Sequence, residues 1–443
     1  MPKMDFIVLR LVSFVYLVSF AFSHNAAAAN DDAVIEGEVV VRFAKGTTKK
    51  EMQAAAKKLN GKIVRFYQSS ASAHVKFPNK DSASLMESMA LLESSDNIVK
   101  HVTPNYRIEF FVMPDDPGFS RQYHHKNIRS QTAWDIARGS KEIKVAVIDS
   151  GVDYTHRDLV ENYYINTKET GLDSQGRDKS TNGIDDDNNG YVDDYRGWDF
   201  GGNDNDPMDK LGHGTHCAGN VGAKGNDYYG VVGVNWDVSI MGLKIGFSND
   251  KGGSYAAAIA AIEYATAQGA DVISASWGGP MAVSNVSQED PLREAIAAAG
   301  RKGILFVAAA GNAGQDNDGS TRVYPASYDL DNIITVAAGN KQDKLAWFSN
   351  YGAESVDIMA PGDSILSTSI SQIWDRRTHK VQSGTSMATP LVAGAAALLK
   401  SENPALSAVE LKEILMETAD ILPGLSGKVK SAGRLNLYRA LVD

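Results

Sequence analysis

The chain has 443 residues, enough for one large domain and one small one. Its 43% hydrophobic and 22% charged content is that of a globular protein, and its net charge of −10 argues against nucleic acid as a partner while suiting bound cations. A single cysteine, Cys217, excludes an intrachain disulfide.

Lys3 and Arg10 flank a mostly apolar run over 11–22, which four alanines, Ala26 to Ala29, follow. A short apolar stretch ending in small residues reads as a secretory signal peptide over 1–29, not as a membrane span. The later alanine-rich stretches are broken by Glu263 and Lys400, so no span is expected. The expectation is a soluble exported protein, extracellular or periplasmic.

Residues 30–112 form a separate small unit. Strands are expected over 38–43, 62–68, 72–77 and 98–110, and helices over 48–59 and 81–93. Asn60-Gly61 closes the first helix, and Leu85, Met89 and Leu92 give the second its apolar face. The order βαββαβ is the ferredoxin-like split. The stretch R-I-E-F-F-V-M-P-D-D-P, 107–117, is a linker of acids and prolines without periodicity.

From 113 to 443 strands and helices alternate. Strands are expected over 143–148, 272–276, 304–310, 333–338 and 356–359. Helices are expected over 255–268, 290–302 and 407–418, the last with Ser407 and Glu410 in capping-box spacing. Continuous apolar strands are those of a parallel sheet covered on both faces. The fold class is therefore α/β, a mostly parallel central sheet with helices on both faces, preceded by a small ferredoxin-like α+β domain.

In such sheets the working residues gather at the C-terminal ends of the strands. Asp149 ends I-K-V-A-V-I-D, and Asn312 follows I-L-F-V-A-A-A-G-N. His213 opens a small-residue helix in G-H-G-T-H-C-A-G, and Ser386 stands in S-G-T-S-M-A-T-P, where a loop turns into an apolar helix. A lone serine there would read as a helix cap. Together the four supply an acid, a base, an amide donor and a nucleophile. Serine is a weak nucleophile until an imidazole takes its proton, and a buried carboxylate must hold that imidazole. A side-chain amide and a first-turn N–H can hold the oxyanion.

These motifs, V-I-D-S-G-V-D, G-H-G-T-H-C-A-G, A-A-G-N and G-T-S-M-A-T-P, resemble those of the subtilisin-like serine proteases, whose chain order of acid, base and serine they share. The resemblance implies Asp149 as orienting acid, His213 as general base and Ser386 as nucleophile. Asn312 and the Ser386 N–H would form the oxyanion hole. Ser276, Trp277, Gly278 and Gly279 match the edge segment that pairs with the substrate backbone, and Ala309, Ala310 and Gly311 the opposite wall of the primary pocket. Residues 30–112 would be the propeptide, an intramolecular inhibitor and folding aid removed by self-cleavage between about Phe110 and Asp116. The catalytic domain would be 113–443, acting on polypeptides.

The loop 182–194, N-G-I-D-D-D-N-N-G-Y-V-D-D, has Asp185, Asp187 and Asn189 at EF-hand spacing. Gly190 falls at the turn position, Tyr191 offers a carbonyl, and Asp193 or Asp194 could close the shell. Arg196 stands where an EF-hand has its bidentate Glu, so this is not an EF-hand. Like charges this dense repel without a cation, and Ca2+ is expected. The resemblance implies a second Ca2+ site at Asp158 and Asn226.

Two rivals are weaker. An α/β-hydrolase esterase would place its serine early in G-x-S-x-G and its histidine last. A non-catalytic binding protein on the same scaffold would lack one of the reactive residues. Outside the motifs, His124, His125 and His379 are expected at the surface, and Trp236, Trp347 and Trp374 in packing or at a cleft rim. Val323, before Tyr324-Pro325, stands where the best-known relatives have a pocket-floor glycine. A broad preference for an apolar or medium-sized residue before the cut is expected.

Overall fold

The structure, a computed structural model, describes residues 34–78, 82–95, 97–106, 113–246, 252–283, 286–371 and 378–443. The expected signal peptide, the stretch 107–112 and Trp374 lie outside the described residues. The chain divides into two units, Met1–Phe110 and Phe111–Asp443.

The first unit runs β1 (Val34–Phe43), α1 (Lys49–Lys57), β2 (Lys62–Tyr67), β3 (Ser72–Lys76), α2 (Ser82–Ser95) and β4 (Val99–Tyr106). The strands form one antiparallel sheet in the order β2-β3-β1-β4, the ferredoxin-like arrangement. Thr48 and Glu51 form a capping box that starts α1. Alternate residues of β1, Val39, Val41 and Phe43, point into a core shared with Ala55 of α1 and Leu85 and Leu92 of α2.

The second unit opens with two short helices, α3 (Tyr123–Asn127) and α4 (Ser130–Ala133), then β5 (Gly139–Asp149), α5 (His213–Gly222), β6 (Asp237–Lys244) and α6 (Tyr255–Ala267). It continues through β7 (Val272–Ala275), β8 (Gly279–Ala282), α7 (Pro291–Arg301), β9 (Leu305–Ala309), β10 (Thr321–Tyr324), β11 (Ile333–Gly339) and β12 (Ile358–Pro361). The hairpin β13 (Ile365–Thr368) and β14 (His379–Gln382) leads into α8 (Thr385–Glu402), followed by α9 (Ala408–Glu417), β15 (Asp420–Ile421), β16 (Gly433–Arg434) and α10 (Leu437–Val442). Eight strands form the central sheet in the order β15-β16-β12-β11-β9-β7-β5-β6, parallel throughout except β15 against β16.

The period of two in each strand sorts the core. Val145 and Val147 of β5 face α5 and α8, while Ala146 and Ile148 face α6 and α7. Helix α8 is buried from Thr385 to Lys400, which its run of alanines and Gly394 permits. A Cβ on Gly394 would stand 2.8 Å from the Val234 Cβ, so any side chain there would push the helix off its neighbour.

Strand β6 escapes the apolar-run pattern because Gly242 interrupts it. Its missing side chain makes room for the Tyr163 hydroxyl, 2.6 Å from where a Cβ would be. The surface expectation for His124 and His125 is wrong: both are fully buried. His125 bonds Ser130 Oγ (2.9 Å) and the Val232 carbonyl (3.0 Å), and Phe119 and Trp134 pack on its ring. His379 is half-buried and lies 2.7 Å from Asp158. Trp236 is buried, whereas Trp347 is 88% exposed. Among the described residues no helix is long and apolar enough to cross a membrane.

Candidate active site

Three strands deliver their ends to one place. Asp149 is the last residue of β5, Ser276 follows β7, and Asn312 lies just beyond β9. Two helices start there, α5 with His213 and α8 with Ser386 in its first turn. Gly212, at φ +87°, turns the chain into α5. A Cβ on Gly214 would stand 2.1 Å from the Gly151 carbonyl and 2.9 Å from the Asp149 Cβ, so the first turn of α5 rests directly on the acid.

Asp149 Oδ1 lies 2.7 Å from His213 Nδ1 and also accepts the Ser150 N–H at 2.7 Å. Asp149 is 5% exposed, and its Oδ2 is buried without a partner. The neighbouring carboxylate raises the His213 pKa well above its usual 6.5, against the opposing effect of burial. With Nδ1 committed to Asp149, Nε2 is the nitrogen left for exchange.

Ser386 Oγ donates to the Ser276 carbonyl at 3.1 Å, not to His213. The Ser386 carbonyl accepts from Ser276 Oγ (2.9 Å) and from Cys217 Sγ (3.4 Å). Asn312 Oδ1 accepts the Thr385 N–H at 2.8 Å and Thr385 Oγ1 at 3.1 Å. That fixes the amide and leaves Nδ2 as its outward donor. A point built at the Cβ position of Gly384 is 3.5 Å from Asn312 Nδ2 and 3.6 Å from the Ser386 nitrogen, so the two donors border one small space.

Asp149, His213 and the segment Ser276 to Pro280 line a cleft of about 790 Å³, with Tyr255, Met281, Leu292 and Tyr324 as its apolar wall. Ala309 and Ala310 are buried, and the Gly311 N–H is tied to Thr385 Oγ1 at 3.2 Å. Val323 separates the two backbone segments. Its Cγ1 lies 3.0 Å from the Cβ position of Gly278, and its Cγ2 3.0 Å from that of Gly311.

In the acidic loop, the carboxylates brought within 4.8 Å of one another are Glu169, Asp187 and Asp194. Asp194 accepts from Asn166, Asn189 and Tyr264. Asp185 spends its two oxygens on the N–H groups of Asn189 and Gly190, and both Asp193 oxygens accept from Gly183. The Asn189 side-chain oxygen takes the Tyr191 N–H, and the Tyr191 ring stacks edge-on with Trp198 and Tyr264. Glu169 was missed in the sequence. It is fully buried on a short 3-10 turn, one of its oxygens has no partner, and burial pushes it up to about 7.

Asp158 is fully buried with Oδ1 unpartnered; its Oδ2 takes the Val231 N–H and lies against His379. Asn226 offers its N–H to Asp116, a second residue missed in the sequence, whose other oxygen is likewise buried without a partner.

Residues 140–439 match the subtilase family, and residues 21–105 match the fervidolysin N-terminal prodomain. The thermophilic serine proteinase of Bacillus sp. (strain AK1) is 34% identical over 410 residues, 92% of this chain and 88% of that one. Thermitase of Thermoactinomyces vulgaris is 38% identical over 329 residues, 74% of this chain and 99% of its own. Among solved structures, a protease from Pseudoalteromonas arctica aligns with a TM-score of 0.56 at 27% identity, covering 74% of this chain and 99% of that one. The chain belongs to the subtilase family: it is a subtilisin-like serine protease, a hydrolase with an N-terminal prodomain of the fervidolysin type.

Proposed function

We propose that the protein is a secreted serine endopeptidase, made as a self-processing zymogen and working through Asp149, His213 and Ser386. The observation that carries the reading is the 2.7 Å contact of Asp149 with His213 beside a serine in the first turn of a buried helix. Ser386 Oγ turns from the Ser276 carbonyl toward His213 Nε2, gives up its proton there and bonds to the scissile carbonyl carbon. Asn312 Nδ2 and the Ser386 N–H hold the resulting oxyanion. His213 passes the proton to the departing amine as the C–N bond breaks, and water then repeats the sequence on the acyl-enzyme. The edge Ser276 to Gly279 takes the substrate backbone, and Val323 limits the depth of a primary pocket between Gly278 and Gly311.

The domain assignment follows the same reading: signal peptide 1–29, propeptide 30–112 as intramolecular inhibitor, and catalytic domain 113–443. The apolar leader supports export.

Calcium fits the acidic loop, because a fully buried carboxylate oxygen of Glu169 without a partner is a group that a cation satisfies. Glu169, Asp187 and Asp194 would hold it, with Asp185, Asn189, Tyr191 and Asp193 shaping the loop. A bound ion would supply charge neutralisation and a cross-link between the turn and the loop. The lone oxygens of Asp158 and Asp116 support a second cation beside Asn226.

The test is the intact mass of the exported protein beside that of Ser386→Ala. Loss of the chain up to about residue 112 in the parent but not in the variant is expected. A variant that is still cut alike and still digests casein would overturn the assignment of Ser386.

A further inference from the structure

Asp209 stands four residues before His213 and is only 4% exposed, and among the described residues its hydrogen bonds come from neutral groups. Five such donors surround it. Oδ1 accepts the N–H of Leu211 (2.9 Å), the N–H of Gly212 (2.9 Å) and Ser150 Oγ (3.0 Å). Oδ2 accepts both the N–H (2.9 Å) and the hydroxyl (2.6 Å) of Thr215. A carboxylate with this many donors is held rigidly, because each bond to a buried charge is stronger than a neutral one.

The places those donors come from give the carboxylate its meaning. Leu211 and Gly212 form the turn that enters α5, and Thr215 is in its first turn. Gly212, at the cap position, has no side chain to satisfy the orphan N–H groups, so Asp209 caps the helix from outside it. Its charge also lies at the end of the helix that favours an anion. Ser150 adjoins Asp149; its N–H binds Asp149 Oδ1, and its Oγ accepts the Gly214 N–H at 3.0 Å. One carboxylate thus grips the elements that carry the acid and the base, and it touches neither.

We propose that Asp209 is a positioning residue for the reaction, holding His213 in register with Asp149 through the Thr215 cap and the Ser150 bridge. The proposal rests on the assignment of Asp149 and His213 as acid and base. Asparagine in place of Asp209 keeps the shape but turns one acceptor into a donor that faces other donors, so the turn must shift. A displacement near 1 Å at a reacting group lowers the rate by about a hundredfold.

The experiment compares Asp209→Asn, Ser150→Ala and the double variant with the full-length parent, each processed and corrected for active sites with an acylating inhibitor. A peptide anilide is the substrate, and His213→Ala is the control. The expected result for Asp209→Asn is a kcat lower by about ten- to a hundredfold with KM changed less than about threefold. The combined effect with Ser150→Ala should be clearly less than the product of the two, as residues of one network behave. If Asp209→Asn fails to mature, Ser150→Ala carries the test alone, with a several-fold loss in kcat at constant KM. A kcat within about twofold of the parent for the variants obtained, or a loss confined to KM, overturns the proposal. Full activity in His213→Ala would instead overturn the assignment of the base, which separates the two failures.

Discussion

Replacing Val323 by alanine should widen the primary pocket, and the structure fixes by how much. The two Val323 methyl groups fill the space between Gly278 and Gly311, each 3.0 Å from where a Cβ on those glycines would stand. Alanine keeps the Cβ and the strand position of residue 323 opposite Pro280, and deletes both methyls. The vacated space accepts two more carbons of the substrate side chain before the cut, each contributing about 0.8 kcal/mol on burial. The gain is about 1.6 kcal/mol, or roughly 15-fold in kcat/KM for a large apolar residue relative to alanine. The assay is kcat/KM on a series of peptide anilides that differ only in that residue, Ala, Leu or Phe. The Phe to Ala ratio should rise by about that factor while the Ala substrate changes little. A ratio unchanged within about twofold would refute the placement of Val323 between the pocket walls. A peptide-library digest of the parent dominated by cuts after Lys or Arg would refute the apolar character of the pocket itself.

Asn312→Ala should lower kcat by about 10²–10³ with little effect on KM; the figure comes from the corresponding amide of subtilisin, and this structure supplies only the position. Removing Ca2+ with a chelator should lower Tm by about 5–10 °C for each ion present at about a hundred times its Kd, and Glu169→Gln should shrink that response by the share of the acidic-loop ion. A variant that keeps the parent's calcium response would exclude Glu169 as a ligand. His124, His125 and His216 should make the Ser386→Ala protein acid-labile. Burial holds all three neutral, with His125 and His216 lowered to about 4 and His124 well below the usual 6.5. The unfolded chain binds protons at these positions near pH 6.5, so it binds more than the fold between about 6.5 and 4, and stability must fall as pH drops through that window. Constant Tm across it would show that these histidines are not held neutral.

What was legible in the sequence depended on how local its cause is. Asp149, His213, Asn312 and Ser386 could be picked out because each sits where a strand ends or a helix begins, and small residues mark each junction. The ferredoxin-like order of the first unit was legible for the same reason, since turn residues separate short runs of clear period. Glu169 gave no such signal. Its neighbours, Asn166 and Lys168, form a turn that Asn166 caps, and only the fold brings that turn against Asp187 and Asp194. Asp116 and Asp209 were missed likewise, because Asn226 reaches Asp116 through its backbone N–H and three of the five donors to Asp209 are backbone N–H groups, which carry no sequence identity. His124 and His125 were misjudged because a histidine pair defaults to the surface until the aromatic rings that enclose it are known. Strand β6 was lost to Gly242, where one close contact outweighed strand propensity.

Pro390 joins several of these features. It lies inside α8, where a proline lacks the N–H that would bond to the carbonyl four residues earlier, at a cost of about 3 kcal/mol in an ordinary helix. That carbonyl belongs to Ser386. Released from the helix ladder, it accepts from Ser276 Oγ and Cys217 Sγ instead. This change of partners ties the first turn of α8 to the end of β7 on one side and to α5 on the other, next to Ser276 and His213. Cys217, fully buried with its thiol pKa raised by burial, therefore acts as a weak donor in this link and not as a nucleophile. The proline, the cysteine and Ser276 are one arrangement for fixing the backbone of Ser386, which leaves only the hydroxyl free to turn.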